Sequence, residues 1–131
     1  MEKRLLYSRL HSAGHLIEDA VRQIFPSLKG IRGNNHFPNG HAFIIFAGET
    51  PSNIQGSQEK ISDLVNELAK RSLEIKIEYN NGIRTVKIGD FMFHPCGGTH
   101  VKNTFEIGKI IIHNLKKDKD NKSNLHLLHI I

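Results

Sequence analysis

The sequence predicts an α+β domain, with helices packed on a mostly antiparallel sheet. Two segments repeat apolar residues at intervals of three and four, the spacing of a helix with one buried face. Farther along, short β-branched runs alternate with polar residues, and Asn80-Asn81-Gly82 separates two of them as a hairpin turn does. Neither an internal repeat nor a linker interrupts the 131 residues, so one domain over 1–131 is expected.

The first helix is predicted over Leu5–Phe25, from apolar residues at Leu5, Leu6, Leu10, Ala13, Leu16, Ile17, Ala20, Val21, Ile24 and Phe25. Gly14 is its weak position, and Pro26, which has no amide proton, closes it. Lys29–Asn35 and Phe37–Gly40 are rich in turn formers and read as loop. His41–Ala47 is short, apolar and partly β-branched, as a buried strand is. Gly48–Gln55 reads as a loop. Ser57 then reads as the cap of a second amphipathic helix, with Lys60 where a capping box has Glu or Gln. That helix carries Ile61, Leu64, Val65, Leu68 and Ala69 and ends near Arg71. Ile75–Tyr79 and Ile83–Ile88 form the hairpin arms, and Lys109–His113 and Leu125–Ile131 are further strands, with a polar turn at Lys116–Lys122 between them.

Composition narrows the class. Hydrophobic residues make up 38% of the chain, and a domain of this size buries roughly two-thirds of its unfolded surface, enough for a core. No stretch reaches the ~18 uninterrupted apolar residues of a membrane helix. Met1–His15 has charges and histidines where a signal peptide has its apolar region. A cytoplasmic protein without a membrane partner is expected. The formal net charge of +5 reads either as solubility or as complement to an anionic partner such as nucleic acid.

The single cysteine, Cys96, excludes an intramolecular disulfide, and nine histidines are an excess for this length. His11 and His15 lie four apart in the first helix, so their imidazoles sit one turn above another and can reach one ion. Cys96 and His100, again four apart, enclose Gly97-Gly98-Thr99. Two imidazoles, a thiolate and a third imidazole complete a four-ligand set for one zinc ion. A buried free thiol is also a common small hydrophobe; against this, two donor pairs at the same spacing would be a coincidence. Gly97 and Gly98 can adopt angles closed to other residues and leave the loop without bulk. They either bend the chain or present successive amides to a carbonyl or phosphate, which makes Gly97, Gly98 and Thr99 candidate substrate-binding positions. A zinc peptidase would carry glutamate beside the first histidine as general base. Ser12 stands there, so that class loses its base. Glu18 and Asp19 read as salt-bridge or solubility residues on a solvated helix face.

Arg9-Leu10-His11-Ser12-Ala13-Gly14-His15-Leu16, followed by Pro95-Cys96-Gly97-Gly98-Thr99-His100-Val101 and Thr104-Phe105-Glu106-Ile107-Gly108, resembles the editing domain of alanyl-tRNA synthetase and its freestanding AlaX-type relatives. The threonyl-tRNA synthetase editing domain shares the His-x-x-x-His element, but the Cys-Gly-Gly-Thr-His run is similar to the alanyl side. The resemblance implies the α+β editing-domain fold and a trans-editing hydrolase that cleaves the ester of mischarged (seryl or glycyl) alanine-specific tRNA. It also implies His11, His15, Cys96 and His100 as ligands of one zinc ion. No catalytic side chain is assigned. Four protein donors close a zinc site, whereas catalysis needs an open position. The ion is therefore expected to orient substrate and polarise water, with His11 or His100 the donor that gives way. Larger relatives use an additional N-terminal segment and glycine-rich elements to select tRNA. Here the first histidine motif opens the chain, and Lys102, Lys109, Lys116 and Lys117 read either as surface lysines or as phosphate contacts. His36, His41, His94, His113, His126 and His129 receive no role. The alternatives are a non-catalytic zinc-containing tRNA-binding module and a zinc hydrolase of a small molecule on the same scaffold.

Overall fold

A computed structural model describes residues 2–34, 41–117 and 124–130. Helix α1 (Glu2–Ile24) buries Leu10, Ala13, Leu16, Ile17, Ala20 and Val21 along one stripe. Full burial of a side chain of Leu or Ile size stabilises by about 1.5–3 kcal/mol, so this stripe anchors the helix and fixes which way its histidines face. The Phe25 N–H still reaches the Val21 carbonyl at 2.7 Å, and Pro26 ends the ladder. The helix begins at Glu2 rather than Leu5, because Glu, Lys and Arg extend a helix well without any apolar signal.

Strand β1 (Lys29–Asn34) corrects the loop reading of its segment. It pairs antiparallel with β2 (His41–Ala47), with a bulge between Gly30 and Arg32. Its glycines make room rather than turns: a Cβ at Gly33 would lie 2.7 Å from the Phe43 carbonyl oxygen, and one at Gly30 would lie 2.9 Å from Glu18 Oε1. Residues 35–40, including His36, lie outside the described residues. Helix α2 (Ile54–Lys70) starts earlier than the Ser57 cap implies. Asn53 is the cap, its side-chain oxygen accepting the Gly56 N–H at 2.9 Å. Ser57 sits inside the helix, donating to the Asn53 carbonyl at 2.6 Å.

The hairpin β3 (Ile75–Asn80) and β4 (Ile83–Ile88) is as expected. Asn81 and Gly82 both have positive φ, 52° and 79°, as a type I′ turn requires. A two-residue strand, β5 (His94–Pro95), joins β4 and completes a three-stranded sheet in the order β3-β4-β5. A 3-10 turn follows at Thr104–Ile107, closed by a reciprocal capping box between Asn103 and Glu106. Strands β6 (Ile111–Lys117) and β7 (Leu125–Ile130) then form a second hairpin; its connection, residues 118–123, and Ile131 lie outside the described residues. The larger sheet has the order β1-β2-β7-β6, so β7 splices the two hairpins together.

Every pairing is antiparallel, as predicted, but the strands divide between two sheets. α1 packs on α2, on β1 and β2 and on the 3-10 turn. One core of Leu16, Phe46, Val65, Ile88, Ile107 and Leu127 unites helices and sheets. Among the described residues, no helix is long and apolar enough to cross a membrane.

Candidate metal centre and its cavity

His11 and His15 project from α1 one turn apart, with ring centroids 5.0 Å from each other. The second donor pair arrives on the segment leaving β5. There the Cys96 N–H is held by the Arg84 carbonyl at 3.0 Å. Cys96 Sγ lies 3.2 Å from His11 Nε2, across 85 residues of sequence, and 3.3 Å from His100 Nε2. The His100 ring stands 4.2 Å from that of His11 and 5.1 Å from that of His15. One donor atom from each of His11, His15, Cys96 and His100 lies within 4.8 Å of all the others. The fold thus brings together the four residues expected as ligands.

Several contacts hold this arrangement. Ser12, fully buried between the two histidines, accepts the Val101 N–H at 3.1 Å and lies 3.0 Å from His100 Nδ1. A neutral His100 that donates from Nδ1 to Ser12 keeps its Nε2 lone pair for the cluster, which is how metal-binding imidazoles are usually braced. Arg84 Nη1 donates to the carbonyls of Cys96 at 3.0 Å and Gly98 at 2.9 Å, pinning both sides of the loop. Spacing motifs gave no sign of Arg84, and Ser12 registered only as a missing glutamate.

The loop glycines differ from expectation. Neither Gly97 nor Gly98 has the positive φ that demands glycine; among the described residues Gly48, Gly82, Gly89 and Gly108 do. Gly98 is needed for close approach, since a Cβ there would lie 2.3 Å from His11 Cε1, whereas a Cβ at Gly97 meets nothing within 4 Å. The Gly98 N–H turns toward Cys96 Sγ at 3.4 Å, and the Thr99 hydroxyl bonds to that of Ser8 at 2.8 Å. Gly97 and Thr99 are exposed on the outer side of the loop.

Electrostatics keep two imidazoles of the cluster neutral. Burial, reinforced by the nearby His11, His94 and His100 rings, pushes the His15 pKa down to about 2. Burial, with His11 and Arg84, lowers that of His100 to about 3. Both rings are neutral near pH 7 and offer lone pairs. His15 Nε2 is buried with no hydrogen-bond partner, and a buried polar atom left unpaired is costly. The nitrogen, sulfur and nitrogen donors around it suit zinc, so the residues present fit the ion.

Glu18 and Asp19 correct the solvated-face reading. Asp19 is 3% exposed and receives His94 Nε2 at 2.8 Å, while Glu18 Oε2 lies 3.8 Å from His94 Nδ1. Burial works against a charged His94, but the hydrogen bond and charge of Asp19, with Glu18, outweigh it and raise its pKa. Burial raises the pKa of both acids, against the opposing pull of His94. The sequence carried a signal for Asp19: His11, His15 and Asp19 follow one another at intervals of four, so the acid shares the face of the ligands. His94 gave none before the short β5 was known.

His11 and His15 also line a cavity of about 320 Å³, together with Glu18 and Gly14 of α1, Gly30–Gly33 of β1, Phe43 of β2 and His129 of β7. That volume is at the small end of ligand sites. Lys102, Lys109, Lys116 and Lys117 are all exposed.

Residues 83–125, which contain Cys96 and His100, match the threonyl and alanyl tRNA synthetase second additional domain. The chain is similar to the alanine–tRNA ligase of Pelotomaculum thermopropionicum, at 28% identity over 127 residues covering 81% of this chain and 14% of the ligase. It resembles that of Alkaliphilus oremlandii at 31% identity, covering 86% of this chain and 15% of the ligase. It is also 31% identical over 104 residues to the alanyl-tRNA editing protein AlaX-M of Pyrococcus horikoshii, which covers 78% of this chain and 46% of that protein. The chain thus spans less than half the length of each of these relatives. The convergent His-x-x-x-His and Cys-Gly-Gly-Thr-His donors, the antiparallel α+β frame and these similarities agree, and the chain belongs to the alanyl-tRNA editing-domain family.

Proposed function

We propose that this chain is a zinc-dependent trans-editing deacylase, cleaving the ester that joins serine or glycine to mischarged alanine-specific tRNA. The observation that carries the reading is the meeting of the four donors, two of which, His11 and His15, line a cavity of about 320 Å³. His11, His15, Cys96 and His100 would hold the ion, which supplies a positive centre able to polarise an ester carbonyl or a water. An aminoacyl ester is already activated, so positioning and charge stabilisation suffice without a covalent nucleophile. Of the two donors expected to give way, His100 is braced by Ser12 whereas His11 borders the cavity, as His15 does, so His11 would be the one that yields to substrate. Gly97, Gly98 and Thr99 lie next to Cys96 and His100, outside the cavity lining, with Gly97 and Thr99 exposed, and would meet the terminal ribose. The β1 and β2 walls, Phe43 and Gly33 among them, would bound the amino-acid end. A hydrolytic sieve of this kind is needed because a synthetase pocket cannot strongly reject an analogue that differs by one small group.

Purified protein incubated with serine-, glycine- and alanine-charged alanine tRNA tests the reading. Loss of the wrong esters and sparing of the alanine ester, abolished by a chelator and restored by zinc, is expected. Salt-sensitive tRNA binding with no turnover would replace it with a binding module. Chelator-sensitive hydrolysis of small esters without any need for RNA would replace it with a small-molecule hydrolase.

A further inference from the structure

We infer that Glu18 is the residue that receives the α-ammonium group of the aminoacyl ester, an inference that rests on the deacylase reading. Among the described residues lining the cavity, Glu18 is the only acid, and it shares that wall with the metal-site residues His11 and His15. Its side chain is 17% exposed, so it reaches the cavity but is not freely solvated. The Gly30 N–H bonds to it, and the missing side chain of Gly30 gives it room: a Cβ there would lie 2.9 Å from Oε1 and 3.0 Å from the carboxyl carbon. This strand-edge glycine therefore fixes where the carboxylate stands.

Of the ionic partners around Glu18, His94 is shared with Asp19. Behind it, Asp19 already holds His94 at 2.8 Å, and His94 reaches Glu18 only at 3.8 Å. Arg22 follows one turn along α1, and Arg32 lies on the β1 wall of the same cavity. Every aminoacyl ester carries an amine on the carbon next to the ester carbonyl. The Glu18 carboxylate has an oxygen within 4.8 Å of a ring nitrogen of His15, so it stands beside the metal-site imidazoles, and its pairing with an ammonium offsets part of the cost of burying both charges. A site built to bond a polar group rejects the analogue lacking it far more strongly than an apolar pocket rejects a methylene. Glu18 thus restricts the substrate to esters with a free α-amine and excludes N-acylated aminoacyl-tRNA.

Titration calorimetry on the zinc-loaded protein with two probes tests this. One is adenosine whose 3′-oxygen is replaced by an amide to serine; the other carries 3-hydroxypropanoate, which is serine without its amine. The wild-type protein should prefer the first by about tenfold to a hundredfold, the range of a charged hydrogen bond. Glu18→Gln should erase the preference with zinc content unchanged, and Gly30→Ala, which crowds the carboxylate, should reduce it and carries the test if Glu18→Gln does not fold. A Glu18→Gln protein that keeps the preference overturns the inference. So does wild-type protein that deacylates seryl-tRNA but binds both probes equally, which leaves the deacylase reading standing. Protein that neither deacylates nor binds either probe removes both.

Discussion

Replacing Gly98 by alanine should break the proposed metal centre without unfolding the protein. The new Cβ would lie 2.3 Å from His11 Cε1 and 2.5 Å from His11 Nδ1, whereas ordinary contact begins near 3.4 Å. The ring must therefore move by roughly 1 Å or more, a displacement of the size that costs about a hundredfold where geometry matters. In metal-free protein the imidazole can swing aside, so the stability cost should stay within the overpacking range of about 1–3 kcal/mol. A ring held in a ligand position cannot move away and still bind. Zinc affinity, measured by competition with a chromophoric chelator, should fall by at least about tenfold to a hundredfold, the loss seen when only a supporting shell is disturbed. Gly97→Ala is the control: its Cβ meets nothing within 4 Å and its φ is not positive, so affinity should be unchanged. A Gly98→Ala protein that binds zinc within threefold of wild type would refute the assignment of His11 as a ligand.

Ser12→Ala leaves the Val101 N–H and His100 Nδ1 without their partner; chemical denaturation should show a loss of about 1–3 kcal/mol, with zinc affinity about tenfold to a hundredfold lower. Arg84→Ala releases the Cys96 and Gly98 carbonyls, and a loss of about 1–3 kcal/mol in the same assay is expected; no change would show that the loop holds itself. His129 is 1% exposed and burial lowers its pKa to about 4, so the unfolded chain takes up a proton before the folded one does. Its contribution is complete above pH 6.5 and declines as pH falls toward 4, by up to about 1.4 kcal/mol per pH unit. Denaturation of metal-free His129→Leu against pH should therefore show a flatter acid limb, and an unchanged slope would place His129 outside the acid response.

The four candidate donors were legible in the sequence because a metal site that needs them would also fix their spacing: four residues on a helix and four around a tight loop. Helix α1 and the β3–β4 hairpin were legible for a similar reason, since periodicity and an Asn-Gly turn are local signals. β1 was not, because Gly30 and Gly33 look like turn residues when their neighbours are unknown. Only the Glu18 carboxylate and the Phe43 carbonyl, brought close by folding, show why a side chain is excluded there. The Asn53 cap was hidden by the more familiar Ser57 pattern. The burial of Asp19 depends on His94, 75 residues away, and the role of Arg84 is to bond carbonyls, which leave no trace in side-chain spacing. Lysine placement told nothing further, as the four singled out are simply exposed.

Strand β7 lies between β2 and β6 although it follows both in the sequence. During synthesis, the β1–β2 hairpin must wait for it with the inner edge of β2 unpaired, carrying Phe43 to Phe46 as a ready template for other chains. A polypeptide that stops before Leu125 has all four candidate donors in its sequence but no finished sheet.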